Sequence, residues 1–218
     1  MSGRIVLVAA AAVVLGSVAT AFAASLTVTS SSLTSFSGAT SVPTSSCTIN
    51  PAADSYVSNA LLQGDSNFGT ATQLHVSAGS TDKRTFARFA VIGAGCVPSG
   101  AEIKSAKLRF VLTTAPGQSR TYVANRVSAS WAEGTVTWNN QPAVGASSGN
   151  VTTGTTAGVT LEWTVTSDVQ AFANGTATNN GWRIADTDES GLIGSQEGRF
   201  NSREAAASKP ELVVVLYP

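Results

Sequence analysis

The chain has 218 residues, 13 basic and 13 acidic side chains, a formal net charge of zero and only 12% charged residues. Neutralising a run of phosphates needs a basic excess, so the balance argues against nucleic acid as a partner, and disorder driven by charge is excluded at this charge content. Gly, Ser, Thr, Val and Ala dominate, with one Met and one His, the composition of a secreted all-β protein.

Residues 1–23 read as a secretory signal peptide. Arg4 supplies a positive start, Ile5 to Leu15 is an unbroken apolar run, and Ala21-Phe22-Ala23 places small residues at a cleavage point. An uncleaved anchor is the alternative, because Ile5 to Ala24 is long enough to span a bilayer. Cleavage is the expectation, leaving an extracellular protein with no membrane partner. Residues 25–46 hold nine Ser and five Thr, a tether composition. Leu26 and Val28 alternate with Thr27 and Thr29, so the alternative to the favoured tether is a strand at Ser25–Ser30 that pairs with its own domain or with a second copy. Export permits disulfides, and an even count of two cysteines means one bridge, Cys47 to Cys96.

From Asn50 onward, short alternating runs stand between turn residues. Leu74 and Val76 flank His75, whose ring is expected to face solvent. Thr85, Ala87, Phe89 and Val91 alternate with Arg84, Phe86 and Arg88. Ala106, Leu108, Phe110 and Leu112 alternate with Lys107 and Arg109. Thr121, Val123, Asn125 and Val127 alternate with Arg120, Tyr122 and Arg126. Period two sends one set inward and the other outward. Further strands are expected at Thr135–Trp138, Val159–Val165, Trp182–Ala185 and Glu211–Tyr217. One short helix is expected, capped by Ser167 or Asp168, with Val169 and Phe172 on one face and Asn174-Gly175 at its end. No βαβ rhythm appears, so the predicted fold is an antiparallel two-sheet β-sandwich of jelly-roll type over residues 50–218.

Several stretches, in order, resemble the DNRLRE domain, grouped with carbohydrate-binding module family 96. They are Ala53-Asp54-Ser55-Tyr56-Val57, Asn67-Phe68-Gly69, Arg84-Thr85-Phe86-Ala87-Arg88-Phe89 and Pro98 through Leu108. The most specific is Trp131-Ala132-Glu133-Gly134-Thr135-Val136-Thr137-Trp138-Asn139-Asn140-Gln141-Pro142. Asp168-Val169-Gln170-Ala171-Phe172, Asn179-Asn180-Gly181, Phe200-Asn201-Ser202-Arg203-Glu204 and Pro210-Glu211-Leu212 complete the order. Two positions depart from the family pattern: Ala90 stands where an Asp is usual, and Phe172 where a Trp is frequent. The resemblance implies a secreted β-sandwich that binds polysaccharide. It also marks Asp54 and Asn67, near the domain start, as one candidate set of cation-binding oxygens.

No catalytic constellation stands out. His75 is the single histidine, no G-x-S-x-G occurs, and thirteen carboxylates always allow a glycosidase-like pair. The chain is therefore read as a non-enzyme. The outward positions Arg84, Arg88, Lys107, Arg109, Arg120 and Arg126, with Tyr122 beside them, would make a basic face if their strands are neighbours. Arg gives bidentate hydrogen bonds to a carboxylate and Tyr stacks on a sugar ring, so that face would suit an acidic polysaccharide. A solvated face that discourages edge pairing is the plainer alternative. Trp131, Trp138 and Trp163 read as core, and Trp182 as either core or half exposed. The loop Asp186 to Glu197 has calcium-loop spacing, with oxygens on Asp186, Asp188 and Ser190, Gly191 at the turn and Glu197 at the twelfth position; a plain acidic turn is the alternative. A glycan-binding module, a self-associating matrix, coat or filament subunit, and a small lyase or hydrolase are the three functional classes left, in that order.

Overall fold

The computed structural model describes residues 45–93, 96–189 and 196–218. The leader and the Ser/Thr-rich stretch as far as residue 44 lie outside the described residues, and so do the cleavage, tether and Ser25–Ser30 strand readings. Eleven strands and one helix follow in chain order: β1 (Ser46–Ile49), β2 (Pro51–Ser58), β3 (Gln73–Ala78), β4 (Lys83–Phe89), β5 (Ile103–Thr114), β6 (Thr121–Val127), β7 (Val144–Thr152), β8 (Thr160–Thr164), α1 (Thr166–Ala173), β9 (Trp182–Asp186), β10 (Gln196–Asn201) and β11 (Glu211–Leu216). Every pairing among these strands is antiparallel.

The all-β class with one short helix is as expected. The division into two separate sheets is not. The strands join in one curled sheet, β1-β11-β5-β10-β3-β4-β9-β6-β7, with β2 added on β4 and β8 on β5. The cause is β5. Its 12 residues pair with β8 along one edge, while the other edge takes β11 from Ile103 to Arg109 and then β10 at Leu112 and Thr114. Two groups of strands that could have been separate sheets are thereby stitched together. The curl carries β7 round to β8, where Gly149 lies against the backbone of Thr164, and Trp163 Nε1 donates to the Tyr122 carbonyl at 3.0 Å.

The concave side holds one core. Ala106, Leu108, Phe110 and Leu112 of β5 face it, as their alternation predicts. Phe110 meets Trp163 and Phe200 edge-on, with ring centroids 5.9 and 5.4 Å apart. Trp182 is fully buried, which settles its two readings in favour of core. Burying each such large apolar side chain contributes roughly 1.5–3 kcal/mol. A smaller second core covers the opposite side of β4: Phe86 packs there with Ala53, Val57, Val127, Trp131 and Val136.

Four local readings are corrected. Thr135–Trp138 is not a strand but part of a run of turns, closed by Asn140, whose side chain accepts from the Thr137 N–H at 2.7 Å and donates to the Thr135 carbonyl at 2.9 Å. Trp138 accordingly sits half-buried at the rim of the second core, under the Arg84 guanidinium at 4.3 Å, instead of inside it. On β6 the inward set is Tyr122 and Ala124, not Val123; the alternation itself holds, and it places Val127 on the other side of the sheet, in the second core. The helix begins at Thr166, earlier than Ser167 or Asp168, and has no side-chain cap; the Thr166 hydroxyl is taken by the Ala106 N–H at 3.0 Å. β1, β2, β7 and β10 were not anticipated, since none carries a regular apolar alternation: β1 and β7 are rich in Ser, Thr and Gly, β2 is buried on nearly every position, and Phe200 is the one large apolar side chain of β10.

Cys47 of β1 and Cys96 are bridged, with Cα atoms 5.9 Å apart and a sequence separation of 49. A loop of that length contributes up to about 4 kcal/mol by the chain-entropy argument. Reduced chain, or chain with Cys47→Ser and Cys96→Ser, is expected to melt well below the oxidised form. Equal thermal midpoints would show that the bridge carries no stability.

Candidate functional site

The stretches that resembled a known family lie far apart in sequence, yet four of them meet at one edge of β2. The Asp54 N–H donates to Glu133 Oε1 at 2.8 Å. The Arg203 N–H donates to Asp54 Oδ2 at 2.8 Å, and Arg203 Nη1 donates to both Glu133 carboxylate oxygens at 3.0 and 2.8 Å and to the Ala52 carbonyl at 2.8 Å. Glu204 stands 3.4 Å from Arg203 Nε. Asn67 Nδ2 donates to the carbonyls of Glu133 and Val136 at 2.7 and 2.8 Å, while its Oδ1 accepts from the Gly69 N–H. Any side chain at Gly69 would run into the Glu133 carbonyl, so the turn needs glycine for close approach. These bonds strap the 131–142 turns to the sheet. They also engage both ends of the Asn67 amide, whose Nδ2 donates twice and whose Oδ1 accepts once.

Asp54 is buried, at 1% exposure. Burial pushes its carboxyl up to about 7, against the stabilising Arg203 N–H and with further upward pressure from Glu204 and Glu133. One of its oxygens, Oδ1, is buried with no hydrogen-bond partner. Asp54, Glu133 and Glu204 place carboxylate oxygens within 4.8 Å of one another, a grouping no other His, Cys, Asp or Glu residues make among the described residues. Glu133, Arg203 and Glu204 were quoted above as motif residues without being given a role. The motif spacing was the available signal, and only the fold shows that the pieces touch.

The expected basic face is distributed differently. β5 is separated from β4 by β10 and β3, and β4 from β6 by β9. Arg84 hydrogen-bonds Glu189 at 2.7 Å and Gln141 at 2.8 Å. Arg88 lies over the Trp131 ring at 5.6 Å. Arg120 makes a bidentate pair with Asp186 at 2.7 and 2.9 Å, and Arg126 reaches Asp168 at 3.5 Å. On β5, Lys107 donates to the Thr164 hydroxyl at 2.6 Å. Arg109 Nε is 2.6 Å from Glu162, an ion pair without hydrogen-bond alignment. Tyr122 is a correction: it points into the core, fully buried, edge-on to Phe200, in space that Gly198 leaves open for its hydroxyl. It cannot stack on a sugar.

The described members of the calcium-loop set, Asp186, Asp188 and Glu197, each have a basic partner. Asp186 is held by Arg120, and Ser190 lies outside the described residues. Glu197 belongs to β10, where it takes His75 Nδ1 at 2.5 Å, Lys83 at 3.0 Å and Arg199 at 2.7 Å. His75 is correspondingly not a solvent-facing ring; its side chain is 13% exposed, and it lies 4.4 Å from the Tyr56 ring, whose other neighbour is Phe68 at 4.2 Å.

The bond from His75 first, and those from Lys83 and Arg199, hold the Glu197 carboxyl well below the usual carboxylate range despite partial burial. A carboxyl depressed in the folded state contributes stability that is complete above the ordinary glutamate value of 4.5 and is lost as pH falls below it. Glu197→Gln is therefore expected to lower the thermal midpoint at neutral pH and to flatten its decline between about pH 5 and 3. An acid limb as steep as that of the unaltered chain would contradict this.

No curated protein sequence matches the chain. The family model described as carbohydrate-binding module family 96 matches residues 45–216. That span runs from just before β1 to the end of β11 and takes in the whole curled sheet and the motif cluster at β2, and the chain belongs to carbohydrate-binding module family 96.

Proposed function

We propose that the protein is an exported, non-catalytic module that binds an acidic polysaccharide. Family membership is the observation that carries the reading. The disulfide and the leader pattern of residues 1–23 support export. Among the described residues, no helix is long and apolar enough to cross a membrane.

The outer face of β5 is the surface that best suits the ligand. Lys107 and Arg109 point outward from it, and a shallow groove beside Arg109 is lined by Thr160, Glu162, Lys209 and Glu211. Arg109 and Glu162 are each 39% exposed, so their pair is weak in water and a glycan carboxylate can take the place of Glu162. Arg120 suits the task less. Its partner Asp186 has a side chain 1% exposed, and removing the arginine would leave a buried charge unpaired, a cost of about 3–5 kcal/mol.

The test is a binding isotherm on a soluble polyuronate with a neutral glucan as comparison. Lys107→Ala with Arg109→Ala is expected to weaken polyuronate binding by about two- to thirty-fold, from 0.2–1 kcal/mol per exposed contact, and to reduce its salt dependence without lowering the thermal midpoint. Equal binding of both glycans, unchanged in the variant, would overturn the acidic specificity. Failure to bind any polysaccharide would overturn the glycan-binding reading itself.

A further inference from the structure

We propose that Asp54, Glu133 and Glu204 form a binding site for one calcium ion. The site stands on different residues from the polysaccharide surface, so its test is independent of that reading.

Three observations carry it. The first is spacing. Calcium holds carboxylate oxygens at about 2.3–2.6 Å, so two ligands of one ion are at most about 5 Å apart, and the three carboxylates offer oxygens within 4.8 Å of one another. The second is the orphaned acceptor. Asp54 is 1% exposed, its Oδ2 accepts the Arg203 N–H, and its Oδ1 is buried with no partner. Leaving a buried carboxylate oxygen without a donor is costly, and a hard cation is the ligand an oxygen acceptor of that kind takes. The third is charge. With all three carboxylates ionised, as a bound cation would hold them, the cluster carries three negative charges, and among the described residues Arg203 is the one basic side chain bonded among them. Two negative charges remain, the complement of a single divalent ion.

Arg203 alone does not complete the cluster. Its guanidinium bonds Glu133 and approaches Glu204, but it reaches Asp54 only through its backbone N–H. The ligands also sit on well-held elements: Asp54 within β2, Glu133 in the turn strapped down by Asn67, and Glu204 in the turn after β10, where its N–H bonds the buried Ser202 hydroxyl. A bound ion would therefore join the sheet to two turns that adjoin it.

The experiment uses the full chain, stripped with a chelator and titrated with calcium chloride by calorimetry, with thermal melts alongside and magnesium as comparison. One calcium per chain is expected, with a rise in thermal midpoint and weaker binding of magnesium, which demands near-ideal octahedral geometry. Glu204→Gln and Asp54→Asn are each expected to weaken calcium binding tenfold or more while the metal-free protein keeps its near-ultraviolet circular dichroism. If Asp54→Asn fails to fold, Glu204→Gln decides, because Glu204 lies in a turn and its side chain meets Arg203 at 3.4 Å. Asp188→Asn, in the loop with calcium-like spacing, is expected to leave binding unchanged. The proposal is overturned if no heat and no midpoint shift appear up to about ten times the ~1 mM range of extracellular calcium modules. It is equally overturned if binding survives Glu204→Gln and is lost with Asp188→Asn.

Discussion

β5 is the constraint on which the rest of the structure depends. A strand residue turns both its N–H and its C=O to one edge, then the next residue turns both to the other. Twelve residues in that pattern serve β8 on one side and β11 followed by β10 on the other. One long strand therefore has three partners, and the sheet cannot divide into two layers without breaking bonds to one of them. Right-handed twist accumulated across so many strands curls the sheet, and the curl encloses a single core. Tyr122 follows from this. Its strand is carried round to face Phe200 and Gly198, and an outward-looking ring becomes a buried one.

The second, smaller core shapes what the surface can do. Phe86 is on the opposite side of β4 from Thr85, Ala87 and Phe89, and it is covered by Ala53, Val57, Val127, Trp131 and Val136. Arg88 over Trp131 and Arg84 over Trp138 use their long side chains to close the rim of that patch. At the same rim, Arg203 and Asn67 anchor the 131–142 turns. Aromatic packing thus places the turns, and the turns place Glu133 beside Asp54.

A chain with 12% charged residues and no net charge has few ions to spend, and the fold spends most of the basic ones in pairs. Lys83, Arg84, Arg109, Arg120, Arg126, Arg199 and Arg203 each have a carboxylate partner. Buried or half-buried pairs hold a fold together but leave little potential at the surface, because each charge is screened by its neighbour. The exposed pair on β5 differs from the Arg120–Asp186 pair in one respect that matters for binding: its members remain in water and can be exchanged. At β2 the pairing is incomplete, with three carboxylates around one guanidinium.

Alternation along β5 was legible because a long strand with one wet face repeats its pattern often enough to be read, and the core set Ala106, Leu108, Phe110 and Leu112 follows directly from it. The all-β class, the helix near Val169 and Phe172, the Cys47–Cys96 bridge and the motif order were legible for similar local reasons. β7 was not, since a Ser- and Gly-rich edge strand buries few apolar residues and leaves no periodic trace. Nor was the direction of Tyr122, because period two tells only which residues share a face, and β6 carries apolar residues on both, Tyr122 and Ala124 towards one core and Val127 towards the other. The candidate cation site divides in the same way. Asp54, Glu133 and Glu204 were each visible inside a motif, but their meeting depends on β2, the 131–142 turns and the turn after β10 arriving at one edge. By itself the sequence determined which residues prefer to be buried and which strands alternate. The tertiary structure decided which carboxylates would share one space, because that depends on contacts between residues as many as 150 positions apart.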